Sequence, residues 1–475
     1  MERSQATRVF GSSGLTLLSL LCFALILRLS VIGGELWLDE IWSLQNVSTV
    51  TEFSGLFLLH DDNNHLTTSA WIWLVSAAQS AWVYRLPALL GSIGTLALLA
   101  VIAARMGGKL GLLVSALAAI NYLLVLYGTE ARGYSLMMFG VLVVLNEVLR
   151  IDTKPDLRSQ FLVPLGTILA ALSHGSFLFL WIPTVLVSGA RIFRSDGGGR
   201  RVLLQHGPAS LVVVLMAWLF YRHLPEGSGP LGSYLQTSID FFSVVVGGHP
   251  LSGADLDFSL WMGSIALTVV VILLVEIVLQ LRAGSALGWI AVGSIGTIVG
   301  SCLLFQPRVL FVRYFIAALP VLLILLGSFL IRIMRASRFG QVVGVALIVA
   351  YAAGNLLLWD ELRVFGRGQH QAAFRHIVES AGFKPVTLGS DQDFRTELLL
   401  GYFRTRDPML GPIQYLSQTG SDERCPDWYL AHSQDSRELP APQIVLPCGA
   451  NALLKESFGT AELSGWNWFL YETRP

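Results

Sequence analysis

Long apolar runs separated by short polar connections recur along most of this 475-residue chain. A hydrocarbon core of about 30 Å needs roughly 20 apolar residues per helix. Runs of that kind fall at 14–32, 86–104, 110–127, 133–149, 161–173 and 175–192. Others follow at 208–222, 259–280, 285–305, 314–333 and 341–359. Together they predict about eleven transmembrane helices, the fifth and seventh being the weakest because each is short or broken by Pro or His. The stretch 65–80 is apolar but short and polar at its start, so an interfacial helix is expected there. The run 15–32 has no small-residue cleavage site before the charged stretch that follows, and reads as an anchor that becomes the first span.

The pattern changes after residue 362. Helix-like stretches at 371–382 and 394–403 alternate with strand-like ones at 385–389, 428–431 and 443–446. The expected architecture is a polytopic α-helical transmembrane domain over 1–362, with a large first loop at 33–85, followed by a small α/β domain over 363–475.

Composition supports this division. Hydrophobic residues make up 53% of the chain and charged residues 13%, about half the charged share of a soluble protein. Mean hydropathy is +0.62. Net charge is zero, which gives no reason to expect nucleic acid as a partner. Lys and Arg near the span ends set the orientation. Arg105 and Lys109, then Arg150, Lys154 and Arg158, then Arg191, Arg194, Arg200 and Arg201, then Arg282, then Arg332, Arg335 and Arg338 all fall on alternate connections. The agreement supports an odd number of spans, with a cytoplasmic N-terminus and an extracytoplasmic C-terminal domain expected. Cys425 and Cys448 then lie in an oxidising compartment, where a disulfide is expected, while Cys22 and Cys302 sit in apolar spans as packing residues. No internal repeat is visible, and no phosphate-cradling loop precedes a helix, which argues against nucleotide-driven transport.

The polar residues that remain gather on the side opposite the basic clusters. Glu35-Leu36-Trp37-Leu38-Asp39-Glu40-Ile41-Trp42 follows the first span. Neighbours on a helix project about 100° apart, so Asp39 and Glu40 can face different partners, one as a general base and one as an orienting group. An ordinary interfacial helix cap with tryptophans in the aromatic belt is the simpler alternative. The segment His60-Asp61-Asp62-Asn63-Asn64-His65 could serve a divalent cation, or be a polar loop with Asn64 as a cap; no metal site is assigned from it. Glu130 and Arg132 sit in a short turn at the membrane boundary, either as an ion pair or as functional groups. Arg308 and Arg313 run against the positive-inside trend and form a candidate anion site, with snorkelling to headgroups as the alternative. His174 lies in a tight turn on the same side and could join the site. Glu147 and Glu276, towards the other ends of their spans, read as interface residues.

Taken in order, these pieces resemble one family. Leu38-Asp39-Glu40, Asn63-Asn64-His65, Arg85-Leu86-Pro87-Ala88-Leu89, Glu130-Ala131-Arg132-Gly133-Tyr134 and Arg313-Tyr314 with Pro320 resemble the GT-C superfamily of membrane glycosyltransferases. The similarity is to the bacterial branch related to protein O-mannosyltransferases and lipid A aminoarabinose transferases, and it covers about the first 360 residues. It implies an inverting transfer of a hexose or pentose from a polyprenyl-phosphate donor to a hydroxyl of a glycan, lipid or protein acceptor, in a bacterial inner membrane. Asp39 and Glu40 would be the catalytic pair, Asp39 as the base and Glu40 helping to position the acceptor or an arginine. Arg132, Arg308, Arg313 and Tyr314 would hold the donor phosphate, and Asp62, Asn64, His65, Glu130 and Tyr134 the sugar or acceptor. No cofactor is implied beyond an optional divalent cation. His65-Leu66-Thr67 stands where the family often has His-Pro-Pro or Lys-Pro. A flippase of lipid-linked glycans and a non-catalytic assembly protein are the alternatives. A transporter should carry ionisable residues near mid-membrane, whereas here they gather on one side.

Overall fold

The computed structural model describes residues 3–78, 80–151, 155–195, 197–224, 233–251, 256–307, 309–417, 424–433 and 438–473. Every apolar run becomes helical. The chain opens with α1 (Arg3–Leu29), followed by two short helices, α2 (Leu38–Ser48) and α3 (Leu66–Leu74). The bundle continues through α4 (Ala81–Met106), α5 (Gly108–Ile120), α6 (Tyr122–Leu126), α7 (Tyr134–Arg150), α8 (Leu157–Ser173), α9 (Leu178–Phe193) and α10 (Gly198–Leu219). It closes with α11 (Tyr234–Val245), α12 (Leu256–Arg282), α13 (Ala286–Phe305), α14 (Leu319–Ala336) and α15 (Arg338–Phe365). Among the described residues, 7 helical segments are long and apolar enough to cross a membrane, and α5, α8 and the apolar part of α1 are shorter. Large apolar side chains such as Leu18, Leu211, Trp261, Leu304 and Phe339 stand exposed around the bundle. Beside helices long and apolar enough to cross a membrane, a surface of that kind suits contact with lipid.

The expected span at 110–127 is not one helix. Asn121 leaves helical geometry (ψ 121°) between α5 and α6. Its side chain caps Leu124 N–H and donates to the Val245 carbonyl and the Tyr351 hydroxyl, both at 3.0 Å. A buried amide with every group paired can hold such a break, which hydropathy alone does not register. Charges at the end of the bundle away from α2 are also paired. Glu147, fully buried, meets Arg150 at 2.7 Å and Arg158 at 3.0 Å, and Glu276 meets Arg332 at 2.9 Å. These are structural contacts, as expected for interface residues.

The C-terminal region carries α16 (His370–Ser380), β1 (Val386–Ser390), α17 (Asp393–Arg406), β2 (Ile413–Tyr415) and β3 (Trp428–Ser433). Three further strands, β4 (Gln443–Val445), β5 (Asn451–Phe458) and β6 (Asn467–Thr473), complete a sheet of order β2-β1-β3-β6-β5-β4. β1 pairs in parallel with β2 and β3, and the remaining pairs are antiparallel. A disulfide joins Cys425 to Cys448. This domain is not a detached appendage. Leu38, Ile41, Val47, Leu66 and Ile72 of the first loop share one apolar core with Phe374, Ile377, Leu399 and Phe403. The 33–85 loop is therefore clamped between the bundle and the soluble domain, and that clamp positions the site.

Candidate active site

A buried ion pair sets the orientation of α2. The Glu40 carboxylate accepts from Arg85 Nε at 2.7 Å and Nη2 at 2.6 Å, and from Ala131 N–H at 2.6 Å. Arg85 spends its other donors on the carbonyls of Ile32, Gly34 and Glu35, each at 2.7 Å. Both side chains are 0% exposed. Satisfied on all sides, Glu40 ties α2, α4 and the 128–133 turn together and has no oxygen left for a substrate. It fixes the start of α2, and with it the backbone of Asp39, one residue and about 100° away.

Asp39 faces the other way. Its carboxylate is paired with Arg132 and lies 3.3 Å from Arg313. Asn63 Nδ2 donates to the Asp39 carbonyl and, at 2.8 Å, to Ser43 Oγ, which locks the start of α2 to the loop beneath it. Burial pushes the Asp39 carboxyl up, but Arg132, Arg313 and Arg395 outweigh it and hold the group below the usual carboxylate range. The group is therefore ionised at neutral pH.

Arg132 is placed by close packing. Gly133 lies so near the Ser173 carbonyl at the end of α8 that a Cβ would collide with it. The same carbonyl accepts from His65 Nδ1–H at 3.0 Å, and His65 Nε2 accepts from Arg132 Nε–H at 3.2 Å. Both ring nitrogens are thereby assigned to a neutral tautomer. Burial, and then the Arg132 charge, push the His65 imidazole well below its ordinary value, so it stays neutral beside the arginine. The His174 ring stacks on His65 at 5.1 Å and meets Tyr134 at 4.6 Å and Tyr314 at 6.1 Å. Arg313 lies 4.2 Å over the Phe311 ring, and both Arg132 and Arg313 stand about 6 Å from Trp37. The outcome is one carboxylate and two guanidiniums walled by neutral aromatic and imidazole rings.

The structure thus brings Asp39, Arg132, Arg313, Tyr314, His65, Tyr134 and His174 together. Asp62 is half-buried near them, and burial, then Asp61, raise its carboxyl pKa. Arg308 lies outside the described residues. Asn64 is occupied otherwise: it donates to the Leu56 and Leu59 carbonyls and accepts from Ser69, which holds the loop closed. Glu130 does not pair with Arg132. It is fully buried 3.5 Å from Arg367, a residue just after α15, which in turn donates to the Leu126 carbonyl and Thr129. His65 spends both nitrogens within the protein, so the 60–65 segment lacks the ligand it would need from that ring. Among the described residues, His249, Glu361 and Glu462 are the one group that brings three metal-type ligand atoms within 4.8 Å of one another.

No protein-family model and no curated protein matches the chain. Solved structures do. The fold is similar to the crystal structure of ArnT from Cupriavidus metallidurans in the apo state, with a TM-score of 0.50 and 13% identity over 87% of this chain and 92% of that one. ArnT bound to undecaprenyl phosphate gives a TM-score of 0.47 at 14% identity over 89% and 93%. This chain shares the fold of that apo structure: a bundle with helices long and apolar enough to cross a membrane, joined to a small C-terminal sheet domain.

Proposed function

We propose, from a GT-C fold that holds one carboxylate between two arginines, that this protein transfers a sugar from a polyprenyl-phosphate donor to an acceptor hydroxyl on the extracytoplasmic side. The observation that carries the reading is the Asp39–Arg132–Arg313 cluster at the edge of the bundle. A lipid-linked donor brings a phosphate to the membrane boundary, and guanidiniums match phosphate geometry. The clustering of Lys and Arg at the opposite ends of the spans favours an extracytoplasmic site. Nucleotide sugars are absent there, so a lipid carrier is the available activated donor.

The chemistry is a single displacement. The acceptor oxygen attacks the anomeric carbon, the bond from that carbon to the phosphate oxygen breaks, and the hydroxyl proton passes to Asp39. Polyprenyl phosphate leaves with the bonding electrons, and Arg132 and Arg313 stabilise its growing negative charge. The same arginines keep Asp39 a weak base in the absence of donor. As they turn to the phosphate, the carboxylate loses its counter-charges and becomes more basic, so donor binding arms the base. Tyr134, Tyr314, Asp62 and neutral His65 line the space in which the sugar would lie, with Asn64 and Glu130 shaping it from behind.

Asp39→Asn keeps the shape of the side chain and removes its basicity. Transfer from a purified polyprenyl-phosphate-sugar pool should fall by a factor on the order of 10² to 10⁴, with the protein still folded and still binding lipid phosphate. Full activity in that variant would remove Asp39 as the base.

A further inference from the structure

The soluble domain supplies an arginine to the same site. Arg395 lies in the first turn of α17, and α17 packs against α2, where the Phe394 and Trp42 rings meet edge-on at 5.5 Å. Arg395 is close enough to Asp39 to act on its charge, as Arg132 and Arg313 do. Unlike them it has no ion pair among the described residues: its Nε is buried with no hydrogen-bond partner, and its guanidinium carbon sits 3.6 Å over the Trp466 ring. Burial lowers its pKa to about 10, with Asp39 and then Asp391 pulling the other way, so it remains charged. Stacking occupies only the face of a guanidinium. The N–H donors lie in its plane, and their edge stays open to an anion.

The tryptophan is held in turn. Asp391 accepts from the His432 backbone N–H at 3.0 Å and pairs with the His432 ring, which is 0% exposed and meets Trp466 edge-on at 5.9 Å. Such a platform fixes the guanidinium in place before any ligand arrives, which lowers the cost of binding. A largely buried arginine with no anion of its own is costly unless a ligand supplies one.

We propose that Arg395, stacked on Trp466, forms an acceptor subsite that binds an acidic group, carboxylate or phosphate, on the incoming substrate. Arg132 and Arg313 are carried by membrane-boundary elements, where a lipid-linked donor would arrive. Arg395 is carried by the soluble domain, on the side open to water. The aromatic face of Trp466 beside a fixed cation suits an acidic sugar. The proposal rests on Asp39 as the reacting centre and extends it to the kind of acceptor.

The test is titration calorimetry on the full-length protein in nanodiscs, with glucuronate and glucose 6-phosphate as acidic probes, glucose as the neutral control and undecaprenyl phosphate as the donor-side probe. At least one acidic probe should bind the wild type about tenfold more tightly than glucose, and Arg395→Gln should weaken it about tenfold, with Arg395→Lys in between. Undecaprenyl phosphate affinity should stay within about twofold in Arg395→Gln and fall about tenfold in Arg132→Ala. Because the Arg395 guanidinium has no ion pair among the described residues and its Nε no hydrogen-bond partner, its replacement leaves the melting temperature near that of the wild type. Failure of both acidic probes to bind, or equal binding to wild type and Arg395→Gln, would overturn the subsite. Equal losses of lipid phosphate and acidic probe in Arg395→Gln would assign Arg395 to the donor phosphate and overturn it too. If the wild type binds an acidic probe but not undecaprenyl phosphate, the donor reading fails and the subsite stands.

Discussion

Asp39 and Glu40 are adjacent carboxylates with opposite fates, decided by what each meets. Glu40 finds a fully engaged arginine and a backbone N–H, and becomes a fixed strut. Asp39 finds two arginines that a phosphate can draw away. Glu130 is a third case. Burial pushes its carboxyl up to about 7, against the opposing pull of Arg367. The folded state therefore holds this proton more tightly than the unfolded chain, whose carboxyl titrates at about 4.3. Below that value both states are protonated and the group has no effect on stability. As pH rises towards 7 the unfolded state releases its proton first, so folding stability declines, and above 7 the loss is complete. Wild-type protein should lose several degrees of melting temperature between pH 5 and 7.5 relative to Glu130→Gln, measured in the same buffers. Parallel curves would show that Glu130 does not titrate there. The Asp39, Arg132 and Arg313 cluster was legible in the sequence because charges at a membrane boundary demand a reason. The pairing of Glu130 with Arg367 was not, since the partner lies beyond the last span and only folding brings it back. Arg395 was invisible for a related reason: on the surface of an amphipathic helix, an arginine gives no sign of the tryptophan or the carboxylate it will face.

At the scale of elements, the apolar runs were read well because each had to satisfy the bilayer on its own. Every one became helical, the 110–127 run as two pieces, and the 65–80 stretch became the short α3. The internal break at Asn121 escaped because its stability comes from partners on α11 and α15. Strands β2, β5 and β6 escaped as well. The residues of β5, Asn451–Phe458, mix exposed polar and buried apolar positions without clean alternation, and a bulge between Leu454 and Glu456 breaks the register. The element whose placement matters most is α2, and the Glu40–Arg85 pair is what holds it. Glu40→Gln would leave Arg85 charged and 0% exposed without its counter-ion, a change expected to cost about 3–5 kcal/mol. The variant should show a clear drop in melting temperature, with transfer activity lost in step with folding. A variant that melted like wild type and had merely lost activity would place Glu40 in the chemistry instead.

At the scale of the molecule, the site belongs to neither half alone. The bundle side supplies Arg132, Arg313 and the Tyr134, His174 and Tyr314 rings, the first loop supplies Asp39 and His65, and the soluble domain closes over the loop through a shared core. An arrangement with the charges at one edge and a lipid-facing bundle below suits a substrate with a phosphate head and a long apolar tail. The most direct test of this account is the affinity of the purified protein for undecaprenyl phosphate, compared across wild type, Asp39→Asn and Arg132→Ala/Arg313→Ala. The account predicts tighter binding in Asp39→Asn, because the anion that competes for the two arginines is gone, and a loss of about tenfold or more in the double arginine variant. Equal affinity in all three proteins would contradict it, because the phosphate would then not be held at the Asp39 site.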